Sequence, residues 1–109
     1  MTEITILTGV NTFVIGDDAA SDLLAHIRSA GGRNRGAAEE PVLAAIDSGG
    51  TLDVRWSDDG KHGVVHAINA WLISEGTAGM PDVMLAIRDE LMRDLGLPPF
   101  DEEIPYDPT

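Results

Sequence analysis

The sequence predicts a single small α+β domain. An antiparallel sheet built from two hairpins would carry two main helices, residues 17–30 and 81–95, on one face. Three observations lead there. Short β-rich runs at 3–8 (EITILT) and 11–15 (NTFVI) flank a link, TGVN, made of turn residues. Apolar residues recur at helical spacing in two segments, Ala20-Leu23-Leu24-Ile27 and Val83-Ile87-Leu91-Leu95. Between these segments, TLDVRW alternates apolar and polar residues strictly, as a half-buried strand does.

The elements follow in chain order. The first two runs form the opening hairpin. Asp17-Asp18 then start a helix, placing negative charge at its positive end, and Ala30-Gly31-Gly32 stops it. This hairpin-then-helix order is that of a β-grasp fold, an analogy that carries no function with it. Residues 31–40, GGRNRGAAEE, are too polar and glycine-rich for a core element, and Pro41 suits the first turn of a short helix ending at Gly49-Gly50. In TLDVRW, Leu52, Val54 and Trp56 point to the core.

Asp59-Gly60 reads as a two-residue hairpin turn. Folding the chain there pairs Trp56 with Gly63, Val54 with Val65 and Asp53 with His66, which sorts apolar from polar side chains almost completely. Residues 64–75 then read as strand–turn–strand, although Val64, Ile68, Trp71 and Leu72 also fit a helix. Glycines at 60 and 63 weigh against the helix, at about 1 kcal/mol each. Pro81-Asp82 begins the last helix, and Gly96 with Pro98-Pro99 ends it.

A chain of 109 residues has room for one core, assigned to residues 1–96, with an acidic, proline-rich tail over 97–109. The tail interleaves its acids with Phe100, Ile104 and Tyr106, spaced like anchors for a surface. There is no cysteine, which excludes disulfides, thiolate metal sites and cysteine nucleophiles. The start has no basic, apolar leader pattern and no run approaches the ~20 apolar residues of a membrane span, so a cytoplasmic, soluble protein is expected. The lysine-poor, Ala/Gly/Asp/Arg-rich usage is that of a GC-rich genome, bacterial or phage. With 19 acids against 7 bases, a net charge of −12, the surface repels phosphate backbones and anionic lipid. The expected partner is a protein with a basic surface.

The stretch RWSDDGKHGVVH, residues 55–66, most invites a catalytic reading. In the hairpin register His62 and His66 stand about 13 Å apart at ~3.3 Å per residue, too far to share a metal. Asp53 and His66 would instead form a cross-strand surface pair. In GGRNRG, Arg33 and Arg35 could grip a carboxylate or phosphate by bidentate contacts, their own acidic tail included. No P-loop, dinucleotide fingerprint or nucleophile elbow occurs, and no cofactor is implied. His26, beside the first helix's apolar stripe, reads as boundary packing. Asp89, Glu90, Arg93 and Asp94 read as a solvated helix face, and Met80, Met84 and Met92 as core filling.

The reading that emerges is a non-enzymatic interaction module: an adaptor, regulator or inhibitor presenting an acidic surface and tail. Its candidate binding residues are Arg33, Arg35, Asp53, His66, Phe100 and Tyr106. One alternative is a nucleic-acid mimic that blocks a DNA- or RNA-binding protein. Another is a small enzyme or ligand-binding subunit using Arg33, Arg35, His62 and His66.

Overall fold

The N-terminal β-rich runs pair as an antiparallel hairpin. In the computed structural model, which describes residues 2–76 and 80–97, β1 is Glu3–Leu7 and β2 is Thr12–Gly16. Ile4 stands opposite Ile15 and Ile6 opposite Phe13, putting a wholly apolar face toward the helices. The connecting loop is closed by Thr8, whose N–H donates to the Asn11 carbonyl at 2.9 Å while its Oγ1 accepts from the Asn11 N–H at 3.0 Å.

α1 spans Asp17–Ala30, as its periodicity predicts. Gly16 is the residue before it, so Asp17 and Asp18 lie inside the first turn and act on the helix dipole rather than as caps. Gly31 ends the helix at φ 68°, in the left-handed region that favours glycine.

α2 departs from expectation. It runs Arg35–Asp47, beginning well before Pro41, so Arg35 and Gly36 are helical and the preceding polar link is short. Pro41 sits inside the helix; having no N–H, it leaves the Ala37 carbonyl without its usual helical donor.

The second hairpin does not form. β3 is only Val54–Arg55, and it lies parallel to β1, with Ile6 beside Val54 and Leu7 beside Arg55. The sheet is therefore mixed, in the order β2-β1-β3. Val54 and Trp56 are buried as the alternation requires, but Leu52 is 55% exposed.

Residues 58–75, expected as a turn and strands, are one helix, α3 (Asp58–Glu75). The sequence Ser-Asp-Asp-Gly starts it: Ser57 Oγ accepts from the Gly60 N–H at 3.2 Å, and Asp58 and Asp59 occupy the first turn. α3 packs against α1, α2 and α4, and Val64, Val65 and Ile68 are fully buried. The two glycines are where α3 meets α2. A Cβ on Gly63 would lie 2.6 Å from the Asn34 carbonyl oxygen and 2.9 Å from the Ala38 Cβ. One on Gly60 would lie 2.7 Å from the Ala37 oxygen.

α4 covers Asp82–Asp94, with Ile87 and Leu91 fully buried and Gly96 turning the chain at φ 70°. Met80, Met84 and Met92 are all core residues. The tail from residue 98 onward, with Phe100 and Tyr106, lies outside the described residues.

These contacts set opposite outcomes for two glycine substitutions. Gly63→Ala gains about 1 kcal/mol of helix propensity, yet it overlaps a backbone carbonyl that cannot turn aside. A net loss of about 2 kcal/mol is expected. Gly36→Ala, with no atom within 4 Å of the added Cβ, should stabilise by about 0.5–1 kcal/mol. Urea unfolding midpoints of the two variants check both signs.

Candidate functional site

The helix that begins at Asp58 reverses the geometric argument about the histidines. His62 and His66 are four apart on α3 and share a face, both half-buried. Among the described residues, however, no group of three His, Asp or Glu side chains is placed to hold a metal ion. Asp53, exposed on the link into β3, has no strand to bring it beside His66. Among the described residues no ion pair joins them.

What the stretch does build is a junction around Lys61, the chain's single lysine. Its Nζ lies 3.4 Å from Asp94 Oδ2, and the same oxygen accepts from the Gly9 N–H at 2.8 Å. The two side chains are 18% and 10% exposed, so this is a partly desolvated pair. One carboxylate therefore ties the β1–β2 turn, the first turn of α3 and the last turn of α4. A Cβ added at Gly9 would meet Asp94 Oδ1, so a larger residue there would push the carboxylate aside.

Arg33 and Arg35 flank Asn34 at the start of α2, and both are exposed. Asn34 is fixed from behind by its carbonyl's close approach to Gly63. Among the described residues neither arginine has an ion-pair partner, whereas Arg28, Lys61, Arg88 and Arg93 each contact an acid within 4 Å.

Clefts open on the surface at two places among the described residues. One, about 210 Å³, lies between α1 and α3. In it the His26 ring stacks on Trp71 at 3.9 Å, nearly parallel at 11°, and His26 Nε2 is 3.9 Å from Glu75 Oε2. His26 thus seals the edge of the α1–α3 contact, as its place beside the apolar stripe suggests. The Trp71 Nε1 atom is buried and has no hydrogen-bond partner among the described residues. The second cleft, about 410 Å³, runs between β2 and α4 over Phe13 and Ala86. Its carboxylate, Glu90, is only 6% exposed. Asn11 Nδ2 donates to its Oε1, and Arg93 NH2 sits 2.6 Å from its Oε2.

Glu90 and Asp94 are therefore not a solvated face. They turn toward the hairpin and clamp it, through bonds spanning 79 and 85 positions of sequence. Local patterns carry little trace of them beyond their places one before and three after Leu91 in the apolar stripe. Arg88, 9% exposed, likewise turns inward: its Nε and NH2 donate to Asp89 Oδ1, and its NH1 reaches Asn69 Oδ1 at 3.4 Å.

Comparison with protein-family models, curated proteins and solved structures finds no match for this chain.

The junction at Asp94 yields a graded prediction. Asp94→Ala hands the exposed Gly9 N–H to water and leaves a part-buried ammonium unpaired, and should cost about 1–2 kcal/mol. Asp94→Asn keeps an acceptor for Gly9 and loses only the charge, so about half that loss is expected. Denaturation midpoints, with hydrogen exchange at the Gly9 amide, separate the two contributions.

Proposed function

We propose that this chain is a small non-enzymatic interaction module, an adaptor, regulator or inhibitor, that holds a basic protein partner through its acidic surface. The observation that supports it is how the net charge of −12 is distributed. Most described acids are exposed, among them Asp18 and Asp22 on α1, Glu40 and Asp47 on α2, and Asp58 and Asp59 on α3. Four of the bases are meanwhile engaged in ion pairs within the fold: Arg28, Lys61, Arg88 and Arg93. The field leaving the molecule is consequently negative, which accelerates encounter with basic surfaces and opposes approach to nucleic acid or anionic lipid. No helix of the described residues is long and apolar enough to cross a membrane. A cysteine-free, acidic module of this kind suits the cytoplasm. Asp53, exposed ahead of β3, belongs to this surface, and His66 borders it from α3.

Binding of this origin weakens with salt. A partner captured from the native host's lysate at low ionic strength should bind roughly tenfold or more weakly when salt rises from ~0.05 to ~0.3 M. Asp22→Lys/Asp47→Lys should lower its association rate while leaving the thermal midpoint nearly unchanged. Titration calorimetry and stopped-flow kinetics give both readouts. Failure to recover any partner at low salt, or an affinity indifferent to salt, would remove the basis of the proposal.

A further inference from the structure

We propose that the acidic C-terminal segment, residues 98–109, docks on the start of α2 with its carboxylates on Arg33 and Arg35. The docking rests on charge and reach. Its consequence, that the tail competes with a basic partner, rests on the function proposed above.

Charge is the first argument. The segment PPFDEEIPYDPT carries Asp101, Glu102, Glu103 and Asp107 and no base. Arg33 and Arg35 are exposed and lack an ion-pair partner among the described residues, in a chain where acids outnumber bases 19 to 7. Two guanidinium groups within three residues offer planar forks that match carboxylates bidentately. The backbone that carries them is also held in place, because Asn34 between them is pressed against Gly63.

Reach is the second. The described chain ends at Leu97, whose N–H donates to the Met92 carbonyl at 2.9 Å, so the exit point is fixed to the end of α4. That end is tied to the first turn of α3 by the Asp94–Lys61 pair at 3.4 Å. The opening turns of α3 in turn lie against the start of α2 at Gly60 and Gly63. Between the exit and the arginines thus lie the beginning of one helix, about 10 Å wide, and the side chains that join it to α4. An extended run of twelve residues spans up to about 40 Å. Tethering at this range gives an effective concentration in the millimolar range, so solvent-exposed ion pairs, each weak alone, dock the segment for part of the time. Arg55, the third exposed arginine without an ion-pair partner among the described residues, stands alone on β3 and offers no such pair.

The absence of cysteine permits a direct test on the full chain. A nitroxide on Thr109→Cys should broaden the amide resonances of Gly32 to Ala37 at low salt. The broadening should vanish at ~0.5 M salt, where the screening length falls to a few Å, and in Arg33→Gln/Arg35→Gln, whose circular dichroism and thermal midpoint should match the parent. A lysine-rich peptide added in trans should also release it, and the double variant should bind that peptide severalfold more tightly. Unbroadened Gly32–Ala37 amides, equal broadening in the double variant, or broadening centred on Arg55 would each overturn the docking. Salt-sensitive partner binding surviving such a result would leave the interaction role standing, while docking without any partner binding would sink that role alone.

Discussion

The contact on which the rest of the fold depends is the close approach of α3 to the start of α2. With no Cβ at Gly60 and Gly63, the α3 backbone comes against the carbonyls of Ala37 and Asn34. Trp56 completes the joint: its indole packs beside Gly60, and its buried Nε1–H donates to the Ala38 carbonyl at 2.8 Å. The magnitudes show why this arrangement wins. Two helical glycines cost about 2 kcal/mol together. The Ser57 cap returns about 1 kcal/mol, and each fully buried side chain among Val64, Val65 and Ile68 is worth about 1.5–3 kcal/mol. Propensity is outweighed by packing several times over.

Seen from this joint, the division between what the sequence reveals and what it hides has a physical cause. The hairpin, α1 and α4 each have one apolar face, so period 2 or 3.6 appears plainly and glycines mark the stops. α3 is apolar on several faces because it is surrounded by α1, α2 and α4. A helix buried on most of its sides has only a weak stripe to read, and its apolar residues also satisfy a strand register. Asp59-Gly60 then tipped the balance toward a hairpin, although Ser57 followed by two acids is equally a helix start. The candidate site suffers from the same ambiguity: His62 and His66 lie far apart on a strand but on one face of a helix. The early start of α2 is hidden for a related reason. Pro41 marks a helix start only where no better contact exists, and here the segment before it is held helical against α3.

Electrostatics divides the acids into two populations. The exposed majority sets the external field. Glu90 and Asp94 instead face the hairpin, where Asn11, Gly9, Lys61 and Arg93 satisfy them. Sequence spacing places all four charged positions 89, 90, 93 and 94 on a helix surface, and only the tertiary position of the hairpin decides which of them meet protein. The three-stranded sheet needs this help. Among the described residues helices pack on one side of it, and its other side presents Thr5, Arg55 and a Val14 that is 55% exposed. Binding the loop to α4 fastens the hairpin at its far end.

The same α2–α3 joint also changes what the two arginines are. In a glycine-rich loop, each contact they made would cost the ordering of that loop as well as of the side chains. Placed at the start of a helix, with Asn34 pressed against Gly63, their backbones are ordered before any ligand arrives. Only side-chain freedom is then lost on binding, which favours even a weak anionic occupant. A glycine pair in one helix thereby fixes the backbone beneath two exposed arginines in its neighbour.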